Sequence, residues 1–98
     1  MIEPRLALSD DSRIVASAHQ VSCDLAGEAA ILNLQSGTYY GLDAVGARVW
    51  NLVQEPATFA EIRDALLDTY DVERPNLESD LRDLLNQLAE HGLVHISS

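Results

Sequence analysis

Lysine is absent from this sequence, cysteine occurs once, and no apolar run approaches the roughly 20 residues that a membrane-spanning helix needs. All six basic residues are arginine, a choice that nothing structural in the sequence explains. With Cys23 alone, neither an intrachain disulfide nor a cysteine-rich zinc site can form. The patterns D-x-D-x-D-G, H-E-x-x-H and C-x-x-C are all missing, as is a glycine loop able to cradle phosphate. His19, His91 and His95 are scattered along the chain. Catalysis needs a nucleophile, acid or base held by neighbours, so the expectation is no enzyme activity, no catalytic residues, no metal and no cofactor. The start, Met1-Ile2-Glu3-Pro4-Arg5, lacks a signal peptide's basic and apolar regions, which places the protein in the cytoplasm, away from membranes.

At 98 residues the chain has room for one small domain with a modest core. Hydrophobic residues make up 47% and charged residues 22%, the composition of a folded chain. Sixteen acidic residues against 6 basic ones give a net charge of −10. Phosphates repel such a surface, which argues against nucleic acid as a partner and favours an electropositive one.

Residues 1–13 show no sustained period and read as a loosely held arm, with 1–18 set apart from a single domain over 19–98. From His19 to Leu25 the residues His19, Val21, Cys23 and Leu25 alternate with polar ones, the period of a strand with one covered face. That phase makes Cys23 a small buried filler. A second strand spans Glu28 to Leu34 with Ala30, Leu32 and Leu34 inward, and Gln35-Ser36-Gly37 turns the chain into a third, Thr38 to Leu42. There Tyr40 and Leu42 share one face and Tyr39 takes the other. Short connections join antiparallel neighbours, so the order is one, two, three and the third strand is an edge. Carrying neither Pro nor Lys, that edge is unprotected against a docking strand.

Asp43 is placed to cap a first helix in which Val45, Val49, Leu52 and Val53 recur, with Gly46 and Trp50 one residue round, and which stops before Pro56. Thr58-Phe59-Ala60-Glu61 matches a capping box, and Phe59, Ile62, Leu66 and Tyr70 give the second helix its buried stripe. Asn76 or Pro75 opens a third helix whose Leu77, Leu81, Leu84, Leu85 and Leu88 form the strongest period present. Gly92 closes it, and Leu93-Val94-His95-Ile96 follows as a short apolar tail. The fold class is α+β: a three-stranded antiparallel meander followed by three helices, winged-helix-like. Trp50 reads as core and His91 as a helix-end residue near the negative pole of the dipole. Glu78, Asp80, Asp83 and Glu90 against Arg82 give the third helix an acidic side, the reverse of a DNA-reading helix.

The run from Ala30 to Asp43, followed by Val45-Gly46-Ala47-Arg48-Val49-Trp50, resembles the small stand-alone recognition elements of lasso-peptide biosynthesis, which are similar to the pyrroloquinoline-quinone biosynthesis D protein. Asp80 to Leu88 and Gly92-Leu93-Val94 fit the same family's third helix and its end, so the likeness spans residues 19–96. It implies a non-catalytic module that binds the leader segment of a ribosomally made precursor peptide. In that family the leader adds as a strand beside the third strand, in a groove bounded by the third helix. The implied peptide-binding residues are Thr38, Tyr39, Tyr40, Gly41 and Leu42 on the edge, with Leu77, Asp80, Leu81 and Leu84 across from it. Fused members of the family continue into a cysteine protease domain, so the expected partners here are a separate cysteine leader peptidase and a cyclase, and Cys23 is no nucleophile. Two other readings stay open: a DNA-binding winged-helix regulator, which the charge opposes, and a carrier or chaperone for a cofactor-biosynthesis intermediate.

Overall fold

The computed structural model of the chain describes residues 8–97. Its elements run β1 (Arg13–Ala16), β2 (Gln20–Leu25), β3 (Glu28–Asn33), β4 (Tyr39–Leu42), α1 (Ala44–Leu52), β5 (Ala57–Thr58), α2 (Phe59–Thr69), α3 (Arg74–Glu90) and β6 (Val94–Ser97). The expected meander is the antiparallel sheet β2-β3-β4, followed by three helices. A second three-stranded sheet, β5-β1-β6, completes the α+β fold.

That second sheet corrects the reading of the N-terminal segment. Residues 1–7 of the expected arm lie outside the described residues, but from Leu8 onward the segment is built into the fold. Leu8, Ser12 and Ile14 are buried, and β1 pairs with β6 through Ile14↔Ile96 and Ala16↔Val94. Leu93-Val94-His95-Ile96, read as a short apolar tail, leads into the strand β6. The Asp10 and Ser12 carbonyls accept the amides of Ala60 and Phe59 at the start of α2.

Local chemistry sets the helix ends. Asp43 Oδ1 accepts from the Gly46 amide at 2.9 Å and caps α1. The Thr58 hydroxyl accepts from Glu61 N–H while the Glu61 carboxylate accepts from Thr58 N–H, the reciprocal capping box. The Thr58 backbone amide, with help from the hydroxyl, holds the Glu61 carboxyl below its ordinary pKa. At the end of α3, Gly92 takes a left-handed φ of 71°, which a residue with a Cβ rarely adopts. Its predecessor His91 is the C-cap, and the His91 carbonyl accepts from Asn33 Nδ2 at 2.7 Å, tying the helix end to β3.

The core lies between the helices, one face of β3-β4, and Ile14 and Val94 of the second sheet. Phe59, Ile62, Leu66, Leu81, Leu85, Leu88 and Val49 are all buried, as is Trp50. At about 25 cal/mol per Å² of apolar surface, such a cluster is the main stabilising term of a domain this size. Gly46 lets α1 approach the sheet: a Cβ there would lie 3.1 Å from two carbons of Leu42.

The register shows which face of the sheet is covered, and it corrects the alternation read from the sequence. Ser22, Ile31 and Tyr40 align across the three strands, as do Asp24, Ala29 and Leu42, so Ile31, Ala29 and Leu42 are the core-facing residues. Val21, Leu32 and Tyr39 form a cross-strand row on the opposite face, and Cys23, Ala30 and Gly41 form the next. Val21, Leu32, Leu34 and Cys23, expected inward, are exposed. The reason is that β3 carries apolar residues at four consecutive positions, Ala29 to Leu32, so a period of two does not fix its phase.

Candidate functional site

Among the described residues no strand pairs with the far side of β4. Its backbone direction follows from one bond at its start, where Asn33 N–H donates to the Thr38 carbonyl at 2.9 Å. Antiparallel strands alternate, so Thr38, Tyr40 and Leu42 turn their polar backbone groups toward β3. Tyr39 and Gly41 turn theirs to the open side. Two N–H and two C=O groups therefore stand ready for another strand.

Beside this edge lies a groove of about 560 Å³ between β4, the start of α1, and α3. Seven of the nine residues singled out in the sequence line it: Tyr40, Gly41, Leu42, Leu77, Asp80, Leu81 and Leu84. Thr38 and Tyr39 do not. Thr38 belongs to the turn, its hydroxyl accepting from Ser36, and Tyr39 stands on the other face with 66% of its surface exposed. Sequence reasoning missed Val45, Val49, Leu66 and the capping Asp43 as lining residues. Their spacing shows only that α1 and α2 have an apolar stripe, and the stripe does not reveal which of its members faces a cleft rather than the core.

The groove is apolar along its floor and acidic at Asp43 and Asp80. Glu78 had been grouped with the acidic side of α3, but its carboxylate turns away to Arg63 at 3.2 Å and Arg74 at 3.6 Å. Arg63 is buried yet also meets Asp10 at 2.8 Å and Asp64 at 3.1 Å. Burial works against its charge, but these carboxylates raise its pKa overall. Arg82 lies with its guanidinium 5.1 Å from the Phe59 ring centre, on the α2 side of the helix. At one end the groove is walled by Tyr40, whose hydroxyl donates to Gln87 Oε1 at 2.7 Å and whose ring centre lies 5.1 Å from that of His91. This bond links the edge strand to α3 across the cleft.

A smaller depression of about 280 Å³ indents the opposite face of β4, lined by Glu28, Ala29, Ala30, Tyr39, Gly41, Leu42 and Asp43. Among the described residues no cluster of three or more His, Cys, Asp or Glu could hold a metal ion, and no helix is long and apolar enough to cross a membrane.

An open strand edge beside an apolar groove suits an extended peptide, with main-chain bonds to the edge and alternate side chains in the cleft. Comparison with solved structures finds the same arrangement of elements. One match, "TbiB1 in Complex with the TbiA(beta) Leader Peptide", is 46% identical, covers 83% of this chain and 94% of that one, and has a TM-score of 0.78. Another, "Lasso peptide synthetase B1 complexed with the leader peptide", is 22% identical with a TM-score of 0.73, covers 84% of this chain and 96% of that one, and shows likeness of fold alone. A sequence comparison with curated proteins found no match. The family model described as "Coenzyme PQQ synthesis protein D (PqqD)" matches residues 28–94, and the chain belongs to that family.

Proposed function

We propose that this chain is a non-catalytic recognition element that binds the leader segment of a ribosomally synthesised precursor peptide and delivers it to a separate cysteine leader peptidase and a cyclase. The leader pairs with β4 and sends alternate side chains into the groove against α3. The observation that supports this most is the juxtaposition of two outward-facing main-chain positions, Tyr39 and Gly41, with the groove between β4 and α3. That the 46% identical relative was solved with a leader peptide supports the choice of ligand. Each main-chain bond contributes only about 1 kcal/mol net, so selectivity falls to apolar leader residues seated near Leu77, Leu81 and Leu84. Val21 and Leu32, exposed on the face of the sheet away from the core, leave that face available to a receiving enzyme.

The test is a fluorescence-polarisation titration with the TbiA(beta) leader and with leaders encoded near this chain's gene. Saturable binding that is lost when Leu84 is changed to Asp is expected. Binding by duplex DNA but by none of the leaders would favour the DNA-reading alternative, although the net charge of −10 opposes it.

A further inference from the structure

The free protein does not explain why residue 41 of β4 is glycine. Its φ lies outside the left-handed range, and a Cβ built on it meets nothing within 4 Å. A strand gains from a side chain, and glycine in one often marks a place where something else approaches closely. What the missing side chain leaves is the depression on the outer face. Ala30 lies across from Gly41 in register, Tyr39 stands on one side, and Glu28 and Asp43 stand on the other. Glu28 is exposed, and Asp43 Oδ1 is held by the Gly46 amide, which orients that carboxylate at the rim.

We infer that this notch is a second subsite for the bound peptide, reading a basic side chain that points away from the groove. The inference depends on strand addition at β4 as proposed above. A residue paired with Gly41 projects from the same face as Gly41, because directly opposed residues share a face. Its two neighbours then point into the groove. The stem of an arginine or lysine in that position lies over Gly41 and Ala30 against the Tyr39 ring, and its cation reaches Glu28 and Asp43. Aromatic faces and carboxylates both attract such a head group. The segment recognised is therefore apolar–basic–apolar, read from both sides of the extended sheet.

The test scans the TbiA(beta) leader, each residue replaced in turn by Arg and by Ala, against the natural chain, Gly41→Val and Glu28→Gln. The Cβ that valine adds at position 41 meets nothing within 4 Å, and Gln removes a charge from an exposed position, so neither change disturbs a contact of the fold. In the natural chain, one position is expected to bind about three- to fivefold tighter as Arg than as Ala, the size of a modest exposed ion pair. At both flanking positions Arg should weaken binding. The Arg-to-Ala ratio at the central position should fall to near one in Gly41→Val and be reduced in Glu28→Gln. Leader binding without any such position, or an Arg preference unchanged in both variants, overturns the notch while leaving the groove reading intact. No binding by any leader variant overturns both.

Discussion

Successive amides of β4 face opposite ways, so single prolines along it have opposite consequences. Tyr39→Pro and Gly41→Pro each remove an open-side amide, which an edge strand tolerates. Each should leave the melting temperature nearly unchanged and weaken leader binding by about fivefold, the equivalent of about 1 kcal/mol. Tyr40→Pro instead removes a bond to β3 and should lower the melting temperature. Paired thermal melts and polarisation titrations check this, and equal effects at 39 and 40 would refute the assigned directions. The leucines of α3 divide in the same way. Leu81 is 2% exposed, so Leu81→Ala should cost roughly 2–5 kcal/mol of stability. Leu84 is only partly buried and lines the groove. Leu84→Ala should therefore weaken leader binding with a much smaller shift in the melt.

Elements whose signals are local could be read from the sequence: the Asp43 cap, the Thr58–Glu61 box, the Gly92 stop and the tight turns of the meander all depend on residues within four positions of one another. The sheet β5-β1-β6 could not, because β1 finds its partner β6 some 80 residues later and neither strand of four residues carries a clear period. The facing of β2 and β3 was misread because the sheet's outer face also carries apolar residues, Val21, Leu32 and Tyr39, where a covered/uncovered alternation presumes polar ones. Of the site, the edge strand and the α3 leucines were legible, whereas the contributions of Val45, Val49 and Leu66 required the packing of three helices. The capping box carries its own prediction. Glu61 titrates below its ordinary value near 4.5 because the folded chain donates hydrogen bonds to its charged form. A lowered folded pKa gives stability that is present above the unfolded pKa and lost as pH falls through the folded one. The melting difference between the natural chain and Glu61→Gln should therefore shrink between pH 7 and pH values below the carboxylate range, and a constant difference would contradict the box's role.

The whole molecule carries a net charge of −10, and Asp80 brings part of it to the groove. Long-range attraction governs encounter more than residence. Asp80→Asn should slow association with a basic leader and flatten its dependence on salt, leaving dissociation less affected; stopped-flow measurements from low to physiological ionic strength decide this. An unchanged association rate and salt slope would make Asp80 a solvated surface residue.

The claim that β4 receives the leader as an added strand is tested most directly by amide hydrogen exchange, resolved by residue, with and without a saturating leader peptide. In the free protein the Tyr39 and Gly41 amides face the open side of β4, and the Gln20, Ser22 and Asp24 amides face the open side of β2. Binding should slow exchange at Tyr39 and Gly41 and leave Gln20, Ser22 and Asp24 as they were. Protection along β2, or saturable binding with no new protection at Tyr39 and Gly41, would contradict strand addition at β4.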